Sequence, residues 1–507
     1  MNKYINKLYG AMLVALVIGI SFSCSKDLGN YDYHDINEVD VNFDSTSYSL
    51  MQGMPIKIVP KISFTMDESG DTANYSYRWQ AHRIVSNKDE FTTVGTERNL
   101  EAPYLALSPD DYTLFYKVTD KNTGVTWTSE CALKVRTSIY EGWLALCDDN
   151  GKSRLDMVSI IDGSPVVMND VLTRVGSNIP SSYTDAAPIE VQSFGSGKGF
   201  YGIYIMTEGG ATRIEEETFM WDETYDIINE FDAEPQSGFV PSHISYVTGY
   251  EMYLHDTNGN AYFYSRTAQA NYALPISTLD LKDFFKVSKY VASNTFSMYP
   301  TYLYDETNQR FIRHYKGMTQ LNKSSKITNG NKLTSWNTGK DLVYMDKQGG
   351  ARDGDVTAIL KDPADSKFYV LRFAGAGTPT QKKYEELDVN NFEGISSFDD
   401  IEHYAVHNSL PYLFYNKGGK VYEYDMELKQ SFLMLDLGSK EITILDFADQ
   451  TYMAKYYDKL QICSYDSSTE NSGTMEFFSV GPVNGPLTST EKHEGLGKIV
   501  STDYRVR

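Results

Sequence analysis

Cysteine is scarce in this sequence. The 507 residues hold four, Cys24, Cys131, Cys147 and Cys463, and no two stand at zinc-ligand spacing, so neither a disulfide scaffold nor a structural zinc organises the chain. Positive charge is short as well. There are 46 lysines and arginines against 68 acids, a formal net charge of -22, and a surface that negative repels phosphate backbones and anionic head groups. That argues against nucleic-acid binding and against a basic face that docks on membranes. The one long apolar run, from Leu8 to Phe22, is shorter than the roughly 20 residues that a spanning helix needs. No H-E-x-x-H, G-x-S-x-G or Walker sequence occurs, which removes the catalytic classes that announce themselves locally.

The apolar run has a use of its own. Lys3 and Lys7 precede or open it, and the small residues Ser21 and Ser23 lead into Cys24, the three-part layout of a secretory signal peptide. A cysteine at the cleavage position fits a bacterial lipoprotein signal. The expectation is that residues 1–23 are removed and that Cys24 becomes a lipid anchor. Each buried methylene contributes about 0.8 kcal/mol, so two or three acyl chains hold firmly where one binds reversibly. The alternative is an ordinary signal peptide with an incidental cysteine. Residues 24–38 are polar and acidic without strand alternation, and read as a tether. Cys131 and Cys147 each sit in an apolar strand-like run, where a buried thiol is expected ahead of a bridge.

Aromatic residues are plentiful: 39 tyrosines and 24 phenylalanines, spread over short alternating segments with few long helical periods. This predicts an all-β protein. Over residues 39–137, "YSYRW" puts Tyr75, Tyr77 and Trp79 on one strand face, and "YTLFYKVTD" does the same for Tyr112, Leu114, Tyr116 and Val118. With "DKNTG" as a turn after them, these predict an immunoglobulin-like β-sandwich with Trp79 in its core. Over residues 138–507 hairpins of one form recur, starting at Trp143, Tyr201, Met252, Tyr302, Val356, Tyr412 and Leu460. A repeat of about 50 residues with several strands in each unit predicts a β-propeller, here of seven blades. One unit reads as four strands, Glu402–His407, Tyr412–Asn416, Lys420–Asp425 and Phe432–Asp436. The first unit lacks a leading strand and the last has a spare one, "GKIVSTDY", so Gly497–Tyr504 is expected to complete the first blade.

Four local motifs bear on chemistry. "GKGFYG", Gly197 to Gly202, runs into a strand and not into a helix that could hold a pyrophosphate. "DTNGN", Asp256 to Asn260, opens like a calcium loop, but Ala261 and Thr267 stand where glycine and glutamate are required, so it reads as a hairpin turn. His403 and His407 lie about 13 Å apart if extended, beyond one metal's reach. "RDGD", Arg352 to Asp355, is also turn-like. No metal or cofactor is expected. A glycoside hydrolase needs only two carboxylates about 5 to 10 Å apart, with no local signature, and so stays as an alternative.

The chain resembles the PKD-like family lipoproteins of Bacteroidetes. The likeness rests on "CSKDLGNYDY" from Cys24, the strands "YSYRW" and "YTLFYKVTD", "EGWLALCDDNGKSRLDMVS" from Glu141 to Ser159, and the closing "GKIVSTDYRVR". It implies an N-terminal PKD/Ig-like domain and a cell-surface lipoprotein beside SusC/SusD-like transporters that import glycans or other oligomeric nutrients. It brings no catalytic residues, and only Cys24 carries over by position. "SKD" after Cys24 resembles the acidic export signal of lipoproteins facing out from the outer membrane. The function expected is therefore non-enzymatic binding of a glycan or peptide, with Trp221 in "FMWDETYD" and Trp336 in "LTSWNTG" as candidate contacts, since sugar C–H faces pack on aromatic rings. Against it stand a cell-surface hydrolase and a structural or adhesive partner of a transporter.

Overall fold

The computed structural model describes residues 37–51, 55–67, 73–85, 87–102, 105, 107, 109–137, 139–161, 163–194, 202–248, 251–265, 270–280, 282–293, 300–315, 322–323, 336–348, 354–375, 379–447 and 455–506. Strand accounts for 57% and helix for 6%, which makes the protein all-β. It forms two compact units, divided between Val135 and Arg136. Cys24, the signal segment and most of the tether lie outside the described residues.

In the first unit the alternation seen in the sequence becomes two faces. Tyr75–Val85 and Asp110–Asp120 pair antiparallel, with Trp79 opposite Tyr116, inside a five-stranded sheet completed by Ser47–Met51, Thr126–Arg136 and Lys88–Gly95. Two short ladders, Val39–Asn42 with Lys61–Phe64 and Ile56–Ile58 with Leu100–Ala102, supply the other side of the core. Trp79 is fully buried, 4.2 Å from the Tyr116 ring. Its indole N–H donates to the Glu97 carbonyl at 3.0 Å and the Tyr116 hydroxyl donates to that of Arg98 at 2.9 Å, so neither large ring buries an unmet polar group. The turn is set by Asp120, whose carboxylate accepts from Asn122 N–H at 2.7 Å, and by Gly124 at φ 75°.

The second unit carries seven sheets in chain order among the described residues. The first contains Gly142–Asp149, Lys152–Ile161 and Ser164–Met168, joined by Lys498–Arg505 from the far end of the chain. The second has Pro188–Phe194, Gly202–Thr207 and Gly210–Ile214. The third has Pro241–Thr248, Glu251–Asp256 and Ala261–Ser265. Thr301–Asp305, Arg310–His314 and Asn322–Lys323 make the fourth. The fifth is Asp341–Gln348, Asp355–Lys361, Phe368–Ala374 and Thr380–Glu386. Tyr404–Val406, Tyr412–Lys417, Lys420–Asp425 and Gln430–Asp436 form the sixth, and Glu441–Phe447, Lys459–Tyr465, Gly473–Ser479 and Thr488–Leu496 the seventh. Four strands per unit were expected; the second, third and fourth sheets show three, and short 3-10 turns at Glu223–Tyr225 and Ile227–Glu230 lie beyond the outer strand of the second.

Both faces of each sheet are covered, which is why the middle strands read as continuous apolar runs. Met252 and Leu254 pack toward the second sheet while Tyr253 packs toward the fourth. Tyr412 and Phe414 face the seventh sheet while Leu413 and Tyr415 face the fifth. Hydrophobic cores of this kind fill every interval from first–second to sixth–seventh. One more, built on Trp143, Cys147 and Tyr504 against Tyr456, Met475 and Phe477, joins the seventh sheet back to the first. The sheets therefore form a closed ring. The expected terminal pairing completes it, with Gly142 opposite Arg505 and Asp148 opposite Lys498.

Cys131, Cys147 and Cys463 are free and buried. Burial pushes all three thiols up, Cys131 to about 11, so little thiolate exists at neutral pH and the groups are inert while folded. Iodoacetamide at pH 8 should leave residues 131, 147 and 463 unmodified in the native protein and alkylate all three in urea, as peptide mass spectrometry would read.

Candidate functional site

Lys498–Arg505 in the first sheet, and the leading strand of the second, third, fifth, sixth and seventh, line the ring's inner edge and bond one another sideways. The Val191 N–H donates to Ser501 Oγ at 3.2 Å, and Ser193 N–H and Gln192 Nε2 donate to Asp503 at 2.5 and 2.9 Å. Glu190 Oε2 accepts from Ile244 N–H at 2.8 Å and pairs with His243 Nδ1 at 2.9 Å. On the other side Lys498 pairs with Glu441 at 2.9 Å, and His403 Nε2 meets the Ile442 carbonyl at 3.2 Å.

In the fourth sheet this inner position is taken by the chain around Val287 to Ala292, held to the sheet by the bridges Val287 with Asp305 and Ala292 with Tyr302. It brings Lys289 and Tyr290 to the middle of the ring. The Lys289 carbonyl accepts from Ser245 Oγ of the third sheet at 3.3 Å. The Tyr290 ring meets Tyr344 of the fifth edge-on at 5.4 Å, and Tyr344 stacks on Tyr404 of the sixth at 5.8 Å. The Tyr344 hydroxyl donates to Asp346 at 3.2 Å. Burial, then the charges of Asp346 and of Asp446 from the seventh sheet, raise the Tyr344 hydroxyl well above the ordinary phenol range; burial and Asp446 act alike on Tyr290. Lys289 and Asp446 are exposed and Tyr290, Asp346 and Tyr404 half-buried. The Lys289 ammonium makes no ion pair among the described residues and lies 5.5 Å from the Tyr290 ring centre. Three tyrosine rings, Tyr344 buried between the other two, thus lie together with two carboxylates and an ammonium, drawn from four sheets. Such a set suits a polar ligand with ring C–H faces, which stacks on tyrosine while its hydroxyls bond carboxylate.

The two tryptophans expected as contacts lie elsewhere. Trp336 is 5% exposed, with Phe373 at 4.8 Å and Phe311 at 5.9 Å. Packing between the fourth and fifth sheets places it in the core and takes its ring off the loop surface. Its indole N–H has no partner among the described residues. Trp221 is half-buried against the core of the first and second sheets, and its indole N–H donates to Thr212 Oγ1 at 2.9 Å. The remaining motifs are structural. Asp256 spends its carboxylate on Asn258 and Asn260 N–H groups at 2.9 and 2.8 Å and on the Tyr262 hydroxyl at 3.2 Å, which makes "DTNGN" a turn. His407 Nδ1 accepts from Ser409 and Leu410 N–H groups, both at 3.0 Å, and burial pushes it down to about 4. Asp355 is paired with Arg372 and Lys382, while Arg352 and Asp353 lie outside the described residues, as do residues 197–201 of the glycine motif. Among the described residues no three His, Cys, Asp or Glu side chains are placed to hold a metal, and no helix is long and apolar enough to cross a membrane.

A groove of about 610 Å³ lies outside the axis, with Phe368, Leu387 and Phe398 in its lining and the Lys367–Glu386 pair, 2.9 Å, at its edge. A polar one of about 380 Å³ is lined by Asp148, Arg154, Glu470, Asn471 and Lys498.

No curated protein matches the sequence. Several solved structures are similar in arrangement. One is a quinonprotein alcohol dehydrogenase-like protein from Bacteroides thetaiotaomicron, 12% identical, covering 91% of this chain and 94% of that one at a TM-score of 0.36. Another is the extracellular domain of a putative one component system from the same organism, 11% identical over 63% of this chain and 36% of that one, at 0.34. A third is a β-propeller domain from Myceliophteria thermophila, 8% identical over 67% and 98%, at 0.39. By sequence, residues 24–180, which take in the described strands of the first unit and three strands of the ring's first sheet, match the PKD-like family.

Proposed function

We propose that this is a surface lipoprotein, anchored through Cys24 in the outer membrane, that binds a glycan or other oligomeric nutrient beside a SusC/SusD-like uptake system and does so without catalysis. In this reading residues 39–137 are an Ig/PKD-like sandwich that serves as a spacer, and residues 138–507 are a seven-bladed β-propeller. Seven sheets with seven cores between them, closed by the terminal strand, support the second assignment. The two-sided packing around Trp79 supports the first.

The observation that carries the binding reading is the axial cluster of Tyr290, Tyr344 and Tyr404 with Asp346, Asp446 and the ammonium of Lys289. Aromatic contacts of this kind are worth about 1 kcal/mol each, or roughly five-fold in affinity. A glycan array on the soluble chain from residue 25 would identify a ligand, and calorimetry would follow it. Tyr404→Ala and Asp446→Asn should each weaken binding by roughly five-fold or more, and Trp221→Ala by less. A ligand bound equally by all these variants would remove the axial site. Release of reducing sugar by the purified protein would replace binding with hydrolysis.

A further inference from the structure

Between the third and fourth strands of the seventh sheet, residues 480–487 cross onto the sixth sheet and are held there at three points. The Tyr412 hydroxyl donates to the Pro482 carbonyl at 2.9 Å, Leu487 N–H to the Met434 carbonyl at 3.4 Å, and Asn484 Nδ2 to two carboxylates at once, Glu423 Oε1 at 3.0 Å and Asp425 Oδ2 at 3.2 Å. Val480 and Leu487 pack into the core beneath. The middle of the strap is open: Val483 is 76% exposed, between Gly481 and Gly485.

The two carboxylates are poorly placed to be ionised together. Glu423 is fully buried and Asp425 nearly so. Both lie on one face of the strand Lys420–Asp425, and one neutral amide is all that stands between them. Asp425 is further occupied, its Oδ1 accepting from Glu427 and Leu428 N–H groups at 2.8 and 2.9 Å. Glu423 Oε2 has no partner among the described residues. Ionised, that oxygen would be a buried charge with no donor; protonated, it leaves no charge to compensate.

Among the described residues the neighbours offer no cation. Phe414 and Phe432 flank Glu423 on the adjacent strands. Tyr412 on the second strand feels both carboxylates. The seventh sheet presents Leu460, Ile462 and Phe478 to the same core. Lys383 is committed to the Met426 carbonyl and Glu427, and Lys429 to Glu385.

We propose that residues 480–487 are a pH-operated strap, closed while Glu423 holds a proton and loosened as that proton leaves. The titration agrees with the geometry: burial first, then Asp425, pushes Glu423 up to about 7 from an ordinary 4.5, and Asn484 opposes only in part. The sign follows from linkage. The closed state binds a proton that the opened, hydrated carboxyl would release, so closure is favoured at low pH, weakens as pH rises through 4.5 to 7, and is weakest above 7. If opening restores the ordinary value, the open fraction rises about ten-fold between pH 6 and pH 8.

Hydrogen exchange of the Leu487 amide, which is bonded to the Met434 carbonyl while the strap is closed, normalised to its intrinsic rate and measured on the full chain, tests this. The wild type should show the ten-fold rise. Glu423→Gln, which is neutral at every pH, should exchange at the wild-type pH 6 level under both conditions. Asn484→Ala, which leaves both carboxylates in place, should exchange at pH 6 as fast as the wild type does at pH 8. Exchange in the wild type that does not change with pH would overturn the proposal. So would a Glu423→Gln protein that keeps the wild-type pH dependence, or an Asn484→Ala protein still protected at pH 6.

Discussion

A chain ending at Leu496 should fail to form a cooperatively folded ring. Without Lys498–Arg505 the strand Gly142–Asp149 loses one of its two partners and the first sheet one of its four strands. The loss reaches further than a ladder. Trp143, 2% exposed, is enclosed by Phe477 at 4.9 Å, Tyr456 at 5.1 Å and Tyr504 at 5.1 Å. Tyr504 also donates to Glu141 at 2.9 Å, and Asp503 accepts from the second sheet. Deleting a buried aromatic alone costs about 3–5 kcal/mol, and total domain stability is about 5–15 kcal/mol. Circular dichroism should show a broadened or absent thermal transition, and gel filtration an expanded or aggregated species. A peptide of residues 497–507 supplied in trans should restore part of the transition. A truncated chain that melts with wild-type sharpness would show that closure is not needed for folding.

Asp156→Ala should be the most damaging single substitution in the second unit. This carboxylate is fully buried and receives Arg154 through two nitrogens at 2.9 Å, Asn169 Nδ2 at 3.1 Å, and the N–H groups of Asp170 and Gly497, both at 2.9 Å. The last bond ties the terminal strand to the first sheet. Alanine leaves a largely buried guanidinium opposite nothing but Asn471, and breaking a buried pair in this way costs about 3–5 kcal/mol. Urea unfolding should register that loss. Asp156→Asn keeps one acceptor oxygen and should cost clearly less; equal costs would mean that the retained neutral acceptor contributes nothing and that loss of the charge accounts for the whole effect.

What the sequence discloses is what is local. The inward faces at Tyr75, Tyr77 and Trp79, and the sixth-sheet strands Tyr412–Lys417 and Lys420–Asp425, follow from alternation and turn residues within a few positions of each other. The spare terminal strand was legible because the first repeat lacked one. The outer edges of the second to fourth sheets were not, because a strand with one solvated side and no partner beyond it leaves little pattern. Trp336 shows the limit of judging a tryptophan by the polarity of its immediate neighbours: its surroundings come from Phe311 and Phe373, in two different sheets. The axial cluster draws on four sheets, and nothing in "SKYVAS" or "LVYMD" says that Tyr290 meets Tyr344. Glu423 did leave a signal. A charge at the centre of the apolar strand "KVYEYD" has to be paired or neutral once buried, and its partner Asn484 lies far along the chain.

The strand Gly142–Asp149 receives the chain from the first unit and is gripped on both sides, by Lys152–Ile161 and by Lys498–Arg505. Tension arriving along the backbone there is carried lengthwise by two ladders, whose bonds must yield together. An outermost strand pulled sideways would unzip one bond at a time. A pull on the leading end of the second unit would thus load this strand in shear, against both ladders at once.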